Sequence, residues 1–231
     1  MDGHESEGMT ISRALAALLL LLAAARHAAQ TQPERLNANA QLLVAARQGD
    51  GPSVRGLLES GANPNARDRF GDTPLNMAAR AGDSALAEYL LARGAEPDRA
   101  NLSGVTPLMS AAHGGHAPTV RLLLAARADL GAVDRTHKTA AAYAAGEGRA
   151  EALAALLDAG VPVNGRLANE LTLLMWSAGQ GHAEATRLLL ARGADPALRD
   201  DRGETALTMA LGAGHGETAA ALRDAMPPDP R

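Results

Sequence analysis

The sequence predicts an all-α solenoid of about six helical hairpins, and three observations carry that prediction. Thr73, Thr106, Thr139, Thr172 and Thr205 recur every 33 residues. Gly49, Gly82, Gly115, Gly148, Gly181 and Gly214 keep the same interval. So do the leucine pairs Leu57-Leu58, Leu90-Leu91, Leu123-Leu124, Leu156-Leu157 and Leu189-Leu190. One period kept by three residue types marks a stack of equivalent units rather than a single closed core. Large rings are few: Phe70, Tyr89, Tyr143 and Trp176 make up the whole aromatic set. Ala and Leu take their place, which suits helices packed closely in layers.

The first element is an apolar run from Ala14 to Ala25, 12 residues long, preceded by Arg13. A spanning helix needs about 20 apolar residues, while the apolar part of an export signal needs roughly 7 to 15. Ala23-Ala24-Ala25 offers small residues for cleavage before Arg26, and a second site follows Ala29. Residues 1–25 are therefore expected to be a signal peptide that exports a bacterial protein, to the periplasm. An uncleaved inner-membrane anchor formed by residues 14–25 and a buried apolar helix are the alternative readings. Asp2, Glu5 and Glu7 make the extreme N-terminus acidic, which does not suit a signal, so Met9 is expected to be the true start. Removing residues 1–25 moves the net charge from -4 to -2. Residues 26–34 are polar, carry Pro33, and are expected to be a linker.

The near balance of charge argues against nucleic acid or an anionic membrane as the main partner. The absence of cysteine excludes disulfides, thiolate metal sites and cysteine nucleophiles.

Each repeat follows from local chemistry, as residues 68–100 illustrate. Asp68 to Gly71 is a turn, with Gly71 able to take a positive φ. Thr73 is a good N-cap and Pro74 is tolerated at the first helical position. Leu75, Ala78 and Ala79 share one helical face, and their small partners allow a close neighbour. Gly82 ends this short helix, and a second one carries Leu86, Tyr89, Leu90 and Leu91. Gly94 stops the second helix and Pro97 prevents its continuation.

The segments Gly71-Asp72-Thr73-Pro74-Leu75, Ala78-Ala79, Gly82-Asp83 and Leu90-Leu91-Ala92-Arg93-Gly94-Ala95 resemble the ankyrin-repeat consensus. Residues 104–116 and 203–215 resemble it again. The resemblance covers about 35 to 226 and divides into 35–67, 68–100, 101–133, 134–166, 167–199 and a shortened 200–226, with a flexible tail at 227–231. The first unit opens with Ala40-Gln41-Leu42-Leu43 instead of Thr-Pro-Leu, as a cap requires. In the last unit Arg223 stands where internal units have leucine, so no further repeat is expected on that face. Arg127 and Glu170 occupy glycine positions, and Ala140-Ala141-Ala142 replaces the usual helix opening. The middle of the stack is therefore expected to be softer than units 2, 3 and 6.

No catalytic grouping survives the repeat pattern. His116, His182 and His215 share one register and are read as structural. His113 and His116 have the spacing of a metal pair but lack further ligands in sequence. Trp176 shares the register of Met77, Ser110, Tyr143 and Met209 and is read as core, although an indole can stay partly exposed.

What the resemblance implies about function is a concave face made of finger loops and first helices. Its finger residues are Arg69, Phe70 and Asp72, then Leu102, Ser103 and Val105, then Arg135, Thr136 and Lys138. Ala168, Asn169 and Leu171 follow, then Asp201, Arg202 and Glu204. The exposed helix positions are Arg80, His113, Glu147 and Gln180. Phe70, Leu102 and Val105 place apolar groups at neighbouring tips, unless Phe70 folds back onto its own finger. Arg67, Arg69, Arg135, Lys138, Arg166, Arg199 and Arg202 make a basic stripe. Asp68, Asp72, Asp134, Asp200, Asp201 and Glu204 interleave with it, which predicts a neutralised, solvated surface. The expected function is a non-enzymatic, monomeric module, without cofactor or metal, that binds one protein partner. A membrane-tethered inhibitor or chaperone of a single enzyme is the alternative. A ligand-binding protein or enzyme is a further one, for which no constellation of residues speaks.

Overall fold

The computed structural model describes residues 32–226 and contains twelve α-helices and no strand among them. The expected signal, the Met9 start, most of the linker and the tail after 226 lie outside the described residues. Helix α1 spans Gln32–Gln48 and α2 Gly51–Glu59. The second unit holds α3 (Pro74–Ala81) and α4 (Ser84–Ala92), the third α5 (Pro107–Gly114) and α6 (Ala117–Ala125). The fourth holds α7 (Ala140–Gly146) and α8 (Ala150–Asp158), the fifth α9 (Leu173–Gly179) and α10 (Ala183–Ala191), the last α11 (Ala206–Gly212) and α12 (Gly216–Asp224). First helices pack on first helices and second on second, giving two layers of a stacked solenoid. Helix α1 takes in residues 32–34, which the sequence reading assigns to the linker. Pro33 falls in the first turn, where its missing N–H costs nothing.

The threonine register is a row of N-caps. The hydroxyls of Thr73, Thr106, Thr139, Thr172 and Thr205 each accept a backbone N–H three residues on. Leu75, Leu90, Leu108, Leu123, Leu153, Leu156, Leu174 and Leu189 are fully enclosed between the two layers. Arg223 is exposed.

The loop glycines answer a tertiary demand as well as a local one. Gly148 has φ 66°, and a Cβ there would lie 2.6 Å from the His182 ring of the next repeat. His182 sits at the start of α10 without capping it. Its Nε2–H donates instead to the carbonyl of Gly146, 2.8 Å away. His116 bonds Arg80 and His215 bonds Gly179 in the same way, at 3.1 and 3.2 Å. Arg149, at this register in unit 4, donates through Nε to the carbonyl of His113. Each such bond satisfies a carbonyl at the end of the preceding first helix, which has no partner within that helix. The structural reading of these histidines is therefore correct, and His116 is committed away from any pairing with His113.

Among the described residues four non-glycine residues take positive φ, all in units 3 to 5: Arg127, His137, Asn169 and Glu170. His137 stands at the register of Gly71, Gly104 and Gly203, a departure additional to Arg127 and Glu170. A side chain in this region costs roughly 1–2 kcal/mol, partly offset by the chain entropy a glycine would lose. Arg127→Gly and His137→Gly are each expected to stabilise the protein by about 0.5–1 kcal/mol, read as a higher urea midpoint. Gly148→Ala is expected to lower the midpoint, because the methyl group meets the His182 ring.

Candidate functional site

The finger loops are built by one recurring acceptor. Asp68, Asn101, Asp134 and Asp200 each turn a side-chain oxygen onto the backbone amides two and four residues ahead, at 2.8–3.1 Å. This replaces two bonds that water would otherwise make and sets the turn. In unit 5 the register holds Leu167, which offers no acceptor. That finger closes as a short 3-10 turn, Ala168–Glu170, with Asn169 and Glu170 both left-handed. Neighbouring fingers are also joined by main-chain bonds, from Leu102 N to Phe70 O, Arg135 N to Ser103 O, and Asp201 N to Asn169 O. The matching bond from Ala168 N to Thr136 O is not formed, so the ladder is interrupted between fingers 4 and 5.

This construction revises the expected charge pattern. Asp68, Asp72, Asp134 and Asp200 have buried side chains and do not form a solvated acidic surface. Their oxygens are needed inside the fingers. Asp72, expected at the binding face, accepts from the Arg80 guanidinium and from Asn101 Nδ2 of the next unit. Arg67 and Arg166 brace their own fingers and reach the next repeat, at the carbonyls of Ala100 and Arg199. Arg199 braces the carbonyl of Gly203. Arg202 pairs with Asp200 at 2.9 Å. Val105, expected at a tip, is half-buried at the finger base, where its carbonyl accepts from Asn76 Nδ2. Glu204 is half-buried too.

Phe70 and Leu102 stay out. They are 54% and 52% exposed, on fingers joined by the Leu102–Phe70 main-chain bond. The Arg69 guanidinium of the same finger lies 4.6 Å over the Phe70 ring, so one face of the ring packs on its own finger while about half of the side chain stays exposed. Arg135, Asn169 and Arg202 are exposed on later fingers. Arg80, His113, Glu147 and Gln180 are exposed as expected, but in two adjacent registers, since Glu147 and Gln180 each follow the equivalent of Arg80 by one residue.

A cluster spanning three units lies beside this ridge. Lys138 Nζ is 5.4 Å from the Tyr143 ring and 5.0 Å from the Trp176 ring. The His113 ring meets Tyr143 edge-on at 5.6 Å and faces Glu147 at 3.6 Å. Trp176 is half-buried and packed against the core, lying beside Gly146 of the preceding first helix. The Tyr143 hydroxyl donates to Asp134 at 2.6 Å. Burial and that carboxylate push the Tyr143 pKa up to about 12. Burial also pushes the Asp134 carboxyl up, but Tyr143 and the amides of Lys138 and Thr136 outweigh it and hold it below the ordinary range. In Asp200, burial acts the same way and is outweighed by the Glu204 amide and Arg202. Among the described residues no three acidic or histidine side chains gather as metal ligands.

Sequence reasoning missed the finger acceptors, although Asp68, Asn101, Asp134 and Asp200 keep the 33-residue interval and lapse only at Leu167. It also missed Tyr143, whose hydroxyl partner lies nine residues away and is visible only in three dimensions.

The family model for ankyrin repeats, in blocks of three copies, matches the chain over 15–101, 42–134, 75–166 and 141–229. No curated protein matches the chain.

Because the folded Asp134 carboxyl is held below its unfolded value, its contribution to stability is present above about pH 4. It is lost as the pH falls through the folded value. Asp134→Asn is expected to lower stability at pH 7 by about 1 kcal/mol and to flatten the acid limb. Urea titrations of both proteins between pH 7 and 3 measure this, and parallel pH profiles would contradict it.

Proposed function

The chain belongs to the ankyrin-repeat family, and we propose that it is a non-enzymatic module that binds a protein partner through its fingers and first helices. Ankyrin repeats generally mediate protein–protein interaction. The observation that carries the reading here is the exposed pair Phe70 and Leu102, flanked by Arg69 on two bonded fingers. Solvent-facing aromatic and arginine groups on a rigid platform are what interface hot spots are made of. The fingers are held in shape by their own Asp and Asn oxygens, so little ordering cost falls on binding.

The proposal extends to location. The 12-residue apolar run at Ala14–Ala25, the small residues before Arg26 and the lack of cysteine support export to the periplasm with loss of residues 1–25. Among the described residues no helix is long and apolar enough to cross a membrane. Retention of Ala14–Ala25 would instead tether the same module to the membrane, in the manner of an inhibitor or chaperone of a single enzyme.

The double variant Phe70→Ala, Leu102→Ala is expected to weaken partner recovery in a pull-down by about tenfold or more, since truncating two anchors costs above 1.4 kcal/mol. Equal recovery of every partner overturns the assigned surface. Intact-mass measurement of the protein from cells is expected to show the chain starting at Arg26 or shortly after, and a retained apolar segment selects the tethered form.

A further inference from the structure

We propose that Lys138, held over Tyr143 and Trp176, anchors a carboxylate of the partner, and that the partner presents an acidic segment to the fingers of units 2 to 4. This rests on the finger-face reading above and adds the partner's chemistry to it. Lys138 is the only lysine in the chain. Its ammonium sits 5.0 Å and 5.4 Å from two ring centres contributed by successive first helices. Among the described residues it forms no ion pair. The carboxylate nearest to it along the chain, Asp134, is engaged by the Tyr143 and Thr136 hydroxyls and by two finger amides. The rings hold the ammonium in place and shed water from one side, but they do not neutralise it. A carboxylate arriving from solvent completes the site with a charge-assisted bond.

The surrounding finger tips have the same sign, while the exposed Glu147 on the helix side faces His113. The finger acids Asp68, Asp72 and Asp134 are turned inward, and Arg47 and Arg80 are paired with the first two. Arg69 and Arg135 point outward and, among the described residues, pair with no carboxylate. Phe70 and Leu102 lie between these cations. The complement is a segment that alternates acidic and apolar side chains. Beside Lys138, the missing bond between Ala168 N and Thr136 O leaves one donor and one acceptor of the finger backbone unjoined to each other, within reach of a partner's main chain. A phosphate backbone fits less well: Glu170, exposed Asp201 and Glu204 line the following fingers, and the chain is net negative.

The test uses an acetylated, amidated octapeptide of alternating Glu and Leu as probe, titrated into the full chain. Trp176, the only tryptophan, reports binding by fluorescence. A saturable change is expected for the wild type, with Kd raised at least about tenfold in Lys138→Met and about threefold or less in Lys138→Arg, since loss of a charge-assisted bond is the larger effect. The Gln-Leu counterpart is expected to be silent. No saturable change, equal binding by Lys138→Met, equal binding of the Gln-Leu peptide, or tighter binding of oligothymidylate would each overturn the inference. If the Phe70→Ala, Leu102→Ala variant still loses its partner while the acidic peptide fails, the finger face stands and the acidic partner does not. If neither variant changes recovery, the finger face itself falls.

Discussion

Four first helices of this stack, α3, α5, α7 and α9, end in a carbonyl group that their own repeat does not satisfy, and the next repeat satisfies it. His116, His182 and His215 each carry a ring N–H back across the interface, and Arg149 substitutes its guanidinium at the same place. The bond demands that the rings lie flat against a backbone without side chains. Gly82, Gly148 and Gly181 meet that demand, because a Cβ at any of them would fall within about 2.6 Å of a ring atom. The same glycines take positive φ and end the helix. A single residue type thus answers local and interfacial constraints together, and a 33-residue unit too small to bury its own core acquires a fixed neighbour.

The fingers use a second device of the same kind. An Asp or Asn at the finger base turns inward and holds two amides, which leaves the tip rigid and the acid hidden. Where Leu167 replaces that acceptor, the loop tightens into a 3-10 turn and puts Asn169 and Glu170 into the left-handed region. The ladder between fingers breaks just before this loop, beside Lys138, Tyr143 and Trp176. Departure from the repeat and the most aromatic part of the concave face therefore coincide. A scaffold that must stay regular in order to stack can vary most where its own bonds are already given up.

Inward-facing acids also decide what a partner meets. Six acids and seven bases alternate along the finger sequence, which reads as a neutral surface. Four of those acids face the fold and three of the arginines are occupied with backbone carbonyls, so the outward balance differs from the sequence balance. Arg69, Arg135 and Lys138 remain on the ridge with Phe70 and Leu102. The finger tips are basic and apolar over units 2 to 4, with exposed Glu147 on the helix side, and more acidic beyond.

The sequence by itself determined the helix hairpin within each repeat, the threonine caps and the structural role of the histidines. These follow from the interval of 33 and from preferences that act within a few residues. It also marked Phe70 and Leu102 as outward, because fingers have no second layer to cover them. It misplaced Asp72 and Val105 and left open how far Trp176 is exposed. Only the tertiary structure decided those, along with the pairing of Tyr143 with Asp134 and the seat of Lys138 over two rings. The physical reason is that a repeat fixes where a residue sits, whereas the direction of its side chain is set by a neighbour one repeat away, whose identity the period does not specify.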